Sequence, residues 1–507
     1  MNSMKPALVR VILASAIALA IPMVASAQIG RIAALFPAQF LSGEHTGDQD
    51  IIAARFFTDG RIETPVAAPA SICSQNYKEF SPIILPDTDG GCFLVYTVEH
   101  NSSAHAGDRD ILMRRLDREG HDRWGDSTNH ITPIARSNFR EQNARAVKLY
   151  DGSIMVLYEV HYSASIYGDV DIAAVKIGAD GKPVWGSGSW VAKTKRRELL
   201  SGAVADSRGG VIAVYESASI AKDSVVASDL LAMRIDGYGK AAWGASANPV
   251  HVASSRHLER NAAVVSDGAG GAYVAYEIAY TAGDRTGDID ILAQRIAPDG
   301  TRRWIDETAV PLVSSDAKAR ETDPVVVAEP AGLAVAFKIQ IGHQTFIGMQ
   351  RLDMLGKPLW NEGKKAVLTG IPKGQVEHQE LIADGLGNFY LSMEVTGATD
   401  TVANDRDIFV QRIAADGAQA WGDGEYAVAA FNTPMPERDA TLTVDPLGQL
   451  IILAVRDTPT AIPGEYTSQV IAQKFAVDGA SSWASLQPPI ILSEDGRRYG
   501  KMVLLRE

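Results

Sequence analysis

The sequence predicts an all-β fold, an eight-bladed β-propeller of four-stranded antiparallel blades, with seven blades as the alternative. Three observations predict it. A basic residue recurs at Arg55, Arg115, Lys176, Arg234, Arg295, Arg351, Arg412 and Lys474, at gaps of 56 to 62 residues. Five residues after each stands a glycine: Gly60, Gly120, Gly181, Gly239, Gly300, Gly356, Gly417 and Gly479. Four residues further on stands a tryptophan: Trp124, Trp185, Trp243, Trp304, Trp360, Trp421 and Trp483, with Thr64 in its place in the first copy. Seven of the eight tryptophans thus fall in one column, and a fixed period of this kind signals a repeat architecture.

The fifth copy displays the elements best. Asn261-Ala-Ala-Val-Val-Ser reads as a first strand and Asp267-Gly-Ala-Gly-Gly as a turn. Gly271-Ala-Tyr-Val-Ala-Tyr-Glu277 alternates like a second strand, and Ile291-Leu-Ala-Gln-Arg-Ile is a β-prone third. Asp299-Gly300 is a tight-turn signal, because glycine tolerates φ > 0. Arg302-Arg-Trp304 and the residues after it are expected to start a fourth strand. Four antiparallel strands repeated radially make a propeller blade.

The two ends of the chain fit the same scheme. Residues 1–27 read as a signal peptide. Lys5 and Arg10 give a charged start, Val11 to Val24 an apolar core, and Ala25-Ser26-Ala27 a cleavage site. Cleavage after Ala27 would leave residues 28–507 as one exported domain, secreted or periplasmic. The 480 remaining residues divide into eight repeats of 60. Arg31-Ile-Ala-Ala-Leu-Phe aligns with a second strand, and Asp48 to Arg55 with a third. Gly500 to Arg506 aligns with a first strand, so pairing of the N- and C-terminal strands is expected to close the ring and remove its open edges. No other stretch is long and apolar enough to span a bilayer. The mature chain carries 46 basic and 61 acidic residues, a net charge of −15, which argues against nucleic acid and anionic membrane as partners.

Each column has a structural expectation. The tryptophans should wedge between adjacent sheets, the basic residues should pair with turn acids such as Asp267 or Asp299, and the glycines should serve the turns. Cys73 and Cys92 are candidates for a disulfide in an oxidising compartment, or two buried thiols.

Two acidic columns are candidates for a ligand-binding face. Asp-x-Asp pairs precede the third strand at Asp48/Asp50, Asp108/Asp110, Asp169/Asp171, Asp288/Asp290 and Asp405/Asp407. A glutamate ends the second strand at Glu159, Glu216, Glu277 and Glu394. Strand alternation is expected to set both groups on the face of the long, variable loops, where propellers usually bind. Paired carboxylates suit calcium at Asp48, Asp50, Asp108 and Asp110, or alternatively the capping of turns. Glycoside chemistry would need two carboxylates across a cleft, and it breaks symmetry, whereas these acids recur. His100, His105 and His161 lie in adjacent loops but match no zinc spacing. No catalytic residue stands out, and no cofactor other than calcium is suggested.

The pattern Asp267-Gly-Ala-Gly-Gly, Asp290-Ile-Leu-Ala-Gln-Arg, Asp299-Gly-Thr-Arg-Arg-Trp304 resembles the tandem propeller repeats of many secreted bacterial proteins. The resemblance covers nearly all of the mature chain. It implies the propeller fold and leaves the function open, since most such proteins are uncharacterised. The expectation is a binding or scaffold module for a glycan or protein ligand. A carbohydrate-active hydrolase or lyase on the same face is the alternative.

Overall fold

The computed structural model describes residues 30–41, 47–63, 70–73, 77–101, 106–124, 131–186, 188–243, 248–304, 319–361, 367–371, 374–397, 405–424, 426–462, 465–483, 490–494 and 497–506. The leader read over residues 1–27, Thr64 and His105 lie outside them. Every named element is a strand. The strands fall into successive antiparallel meanders, called units here. In the second unit Tyr77–Pro86 pairs with Cys92–His100, which pairs with Arg109–Leu116, which pairs with Thr132–Ala135. The third repeats this with Arg140–Lys148, Ile154–His161, Val170–Ile177 and Ser189–Ala192. The fourth runs from Arg197–Ala205 to Val250–Ala253 and the fifth opens with Leu258–Ser266. The sixth, seventh and eighth are separate four-stranded sheets starting at Arg320, Gln375 and Glu437. The earlier units are joined into larger sheets by single parallel bridges, such as Val170 to Arg197.

The first unit draws on both chain ends. Arg31–Gln39 pairs on one side with Gln49–Phe57. On the other side it pairs with Arg498–Tyr499 and Val503–Arg506, with Ala33 opposite Leu505 and Leu35 opposite Val503. Two contacts then join this unit to the eighth. Lys474 donates to the Thr58 carbonyl at 3.0 Å. Trp483, Ile451 and Leu453 share one apolar core with Ile32, Phe36 and Phe56.

The other cores are shared in the same way. Tyr273, Ile291 and Trp304 of the fifth unit pack with Leu333, Phe337 and Leu352 of the sixth. A second strand therefore has apolar neighbours on both faces, and Ala272–Ala279 is buried along nearly its whole length. This explains why second strands are almost continuously apolar or small.

The repeated columns meet at the joints. Six of the seven indoles reach the turn of the following unit and donate to a carbonyl there: Trp124 to Ala179, Trp185 to Gly237, Trp243 to Pro298, Trp304 to Met354, Trp360 to Ala415 and Trp421 to Val477, at 2.9–3.1 Å. The glycine of that turn lies against the ring. A Cβ on Gly356 would come within 2.6 Å of Trp304, and one on Gly181 within 2.7 Å of Trp124. The glycine column thus answers two demands, a positive φ of 84° at Gly356 and room for a neighbouring indole. The first copy lacks the tryptophan, and there Gly120 faces Arg55 and Ile72 instead. The basic column pairs with the acid of the turn between first and second strands, as in Arg295–Asp267 at 2.8 Å, Arg115–Asp87 at 2.6 Å and Lys474–Asp445 at 2.8 Å.

Two expectations are corrected. The tryptophan does not start the fourth strand. Arg302 makes only an isolated bridge to Ile296, and in the fourth unit the outer strand begins at Val250, after Trp243 has turned inward. In the fifth unit the stretch after Trp304 lies outside the described residues. The disulfide is also not formed, and Cys73 and Cys92 are two buried thiols. Cys73 sits beside Arg114 and Tyr96, mid-strand. Cys92 is four residues before Tyr96 on the same strand, about 13 Å away. A disulfide needs Cα atoms within about 7 Å. Burial pushes the Cys73 thiol up to about 12, so it stays protonated and inert.

Candidate functional site

The long loops between second and third strands lie at one end of the units, opposite the glycine turns. The first acid of an Asp-x-Asp pair stands just before the third strand, and in three pairs it accepts the next backbone N–H: Asp48 from Gln49, Asp108 from Arg109 and Asp288 from Ile289, at 2.9–3.0 Å. Asp169 is pushed up by burial and by the charge of Asp171. The second acid is buried and meets a donor from its own long loop. His100 Nε2 lies 2.9 Å from Asp110, the Tyr162 hydroxyl donates to Asp171 at 2.7 Å, and the Tyr280 hydroxyl donates to Asp290 at 3.0 Å. Arg285 adds a further bond to Asp290. Asp407 differs, because neither of its oxygens has a hydrogen-bond partner among the described residues. Burial and then the charge of Asp405 push it up to about 6.

The glutamate column faces sideways into the next unit rather than out to solvent. Every first strand carries a bulge, with Asn143, Asn261, Asp323 and Asp439 at positive φ. The preceding unit's glutamate receives the backbone N–H beside that bulge. Glu159 accepts from Leu200 at 2.8 Å, Glu216 from Asn261 at 2.6 Å, Glu277 from Asp323 at 2.9 Å and Glu394 from Ala440 at 3.1 Å. Asn143 and Asn261 side chains add bonds to Glu159 and Glu277. Burial raises Glu216 and Glu394. Glu159, His161 and Glu216 line an inner cavity of about 420 Å³ with Arg145 and Arg197. In it Glu159 is held from three sides, His161 included at 2.8 Å. The Asp and Glu columns are one residue apart in register, Val160 lying opposite Asp171, yet the glutamates belong to the joints.

A third acidic column was not singled out in the sequence. Glu79, Glu141, Glu198, Glu259, Glu321 and Glu437 all lie near the start of first strands and are fully or almost fully buried. Four of them accept a hydroxyl bond from a serine or threonine four residues earlier: Ser137, Thr194, Ser255 and Thr433. That recurring Ser/Thr-x-x-x-Glu spacing was the available signal. Burial, with repulsion from the preceding unit's aspartates, pushes Glu141, Glu198 and Glu259 up to about 7. Glu437 is also raised to about 7, chiefly by burial. Four joints thus place a carboxyl with raised proton affinity near a second carboxylate.

One joint opens into a groove. A cavity of about 560 Å³ between the second and third units is lined by His100, Asp108, Asp110, Arg136, Ser137, Asn138 and Phe139. Arg136 reaches Asp110 through Nε at 3.5 Å. Phe139 is 43% exposed, and its ring stands edge-on to Tyr162 at 4.8 Å. Among the described residues, no three His, Cys, Asp or Glu side chains converge as a metal ion requires, at Asp48, Asp50, Asp108 and Asp110 included. Also among them, no helix is long and apolar enough to cross a membrane.

No protein-family model matches this sequence, and no curated protein matches it. Solved structures with partial likeness include the polysaccharide lyase Uly1, 9% identical, with a TM-score of 0.40 over 66% of this chain and 78% of that one. An α-L-arabinanase of Penicillium chrysogenum complexed with arabinobiose is 14% identical, with a TM-score of 0.35 over 66% of this chain and 93% of its own. A Trypanosoma rangeli sialidase is 12% identical, with a TM-score of 0.35 over 82% and 56%. Likeness at this level carries no residue roles across.

Proposed function

We propose that this chain is an exported eight-bladed propeller that binds a glycan on its long-loop face, at the groove of His100, Asp108, Asp110, Arg136 and Phe139. One observation carries the reading. The groove combines an exposed aromatic ring with carboxylate, guanidinium, hydroxyl and amide groups, the set that sugar rings and their hydroxyls need. The pairing of Arg31–Gln39 with Val503–Arg506 and the cores shared from unit to unit support the closed ring. The leader over residues 1–27 supports export.

A hydrolytic reading has one feature in its favour, Glu141 raised to about 7 by burial and by the nearby charge of Asp110. The same pair recurs as Glu198 with Asp171 and as Glu437 with Asp407, so it marks the repeat rather than a unique centre. The test is a glycan array on the mature chain, with and without chelator, beside an assay for new reducing ends. Binding that Phe139→Ala abolishes, without turnover, is the expected result. Turnover lost in Glu141→Gln would replace binding with catalysis. Loss of binding on chelation would bring calcium back.

A further inference from the structure

In a repeat protein, features common to all copies serve the fold, and features confined to one place are free for recognition. Two joints depart from the rest. Seven units have a described fourth strand. The residue that follows this strand is Ser74, Ser254, Gly370, Asn432 and Asp495 in five of them, and cationic only at Arg136 and Lys193, in the adjacent second and third. Each of the two leans on the aspartate beneath it, Arg136 on Asp110 at 3.5 Å and Lys193 on Asp171 at 3.8 Å. Their side chains nevertheless remain 68% and 52% exposed, so most of their donors face outward. Lys195, two residues on, is exposed as well.

The same two units carry the apolar surface. Trp190 is the single tryptophan outside the column. It is 44% exposed, whereas Trp304 in the column is fully buried. Lys193 Nζ lies 3.9 Å from the Trp190 ring centroid and 5.9 Å from that of Tyr162. Phe139, Tyr162, Lys193 and Trp190 therefore form one continuous row leading away from the groove. The loop after Tyr162 adds the exposed Ile166 and Tyr167. Aromatic faces left in water suit the C–H faces of sugar rings, and cations set among them suit carboxylates. On a chain with a net charge of −13, such a row selects for an anion.

Resting on the glycan-binding reading above, we propose that this row takes a carboxylated, uronate-type polysaccharide. Its rings would lie on Phe139, Tyr162 and Trp190, and its carboxylates would pair with Arg136 and Lys193. The test titrates the whole mature chain with polygalacturonate, with fully methyl-esterified polygalacturonate, with a neutral glycan panel and with polyglutamate. Polygalacturonate should bind best and weaken as salt rises. Esterification, or the Arg136→Ala/Lys193→Ala pair, should each cost about tenfold or more in affinity. Trp190→Ala should weaken the acidic and esterified polymers alike. All variants should melt with the wild type, since these side chains are exposed. Equal binding of the two polymers, or unchanged affinity in the double variant, overturns the proposal. Neutral glycans binding alone overturns it while the glycan-binding reading stands. No glycan binding sinks both. Polyglutamate binding as tightly as polygalacturonate overturns the sugar assignment and leaves a charged patch for an acidic protein.

Discussion

The two ends of each unit are built on different rules. At the turn end, an indole from one unit lies on the glycine of the next and bonds to a turn carbonyl, and six joints repeat this with bond lengths within 0.2 Å of one another. At the loop end, equivalent aspartates are met by a histidine, a tyrosine or an arginine, and in the seventh unit by no donor among the described residues. One end has a single solution because three groups must fit together at once. The other needs only a donor near a buried acid, and any side chain that brings one suffices. Repetition therefore marks where the fold is held, and its decay marks where the surface is free to recognise something.

Four experiments would break or sharpen this contrast. The largest effect is expected from deleting residues 498–506. This strips one edge of Arg31–Gln39 and part of the core shared by the first and eighth units. Cooperative thermal unfolding should be lost, and an unchanged melting curve would mean that the ends do not hold the structure together. Next comes Trp304→Ala, expected to cost about 3–5 kcal/mol by denaturant titration. Trp190→Ala should leave the midpoint in place, and equal losses would dissolve the distinction between column and surface.

A smaller effect compares two glycines in left-handed geometry. Gly287 at the loop end has nothing within 4 Å of an added Cβ, whereas Gly356 at the turn end has Trp304 at 2.6 Å. Both Gly→Ala changes incur the left-handed penalty of about 1–2 kcal/mol. Only Gly356→Ala should cost clearly more, and parity would show that the indole yields. The smallest effect concerns pH. Glu141, Glu198, Glu259 and Glu437 have folded-state values raised from 4.5 to about 7, so the folded chain holds more protons than the unfolded chain between those limits. Their contribution is therefore present at the acid end and is lost as pH rises through about 7. The melting temperature should fall across that window, and Glu259→Gln should flatten the slope. A slope of opposite sign would mean that these carboxyls are ionised within the fold.

The turn end was legible because its requirements are local. Glycine, a turn acid and a large ring recur at fixed offsets, and a marker residue finds them. Even there the spacing did not say that Gly356 makes room for Trp304, since that contact spans two units. The partners of the glutamates were hidden for a related reason. Glu159 and Glu277 sit near the loops in sequence, but their partners are backbone N–H groups of the following unit, created by bulges that no residue pattern announces. Cys73 and Cys92 are close in sequence yet stand on strands of two different units that do not pair with each other. The groove became visible only once Arg136 and Phe139, from the link into the third unit, met Asp110 and His100 of the second.

The strand Arg31–Gln39 is made long before its partner Val503–Arg506. Until that partner arrives, a row of amide and carbonyl groups stands ready to bond with whatever extended chain comes by. Pairing of strands so far apart in sequence is expected to be slow, and a second copy is expected to compete for the open edge when the protein is concentrated. Strand-exchanged dimers are the expected by-product of rapid synthesis, and dilution during refolding is the way to suppress them.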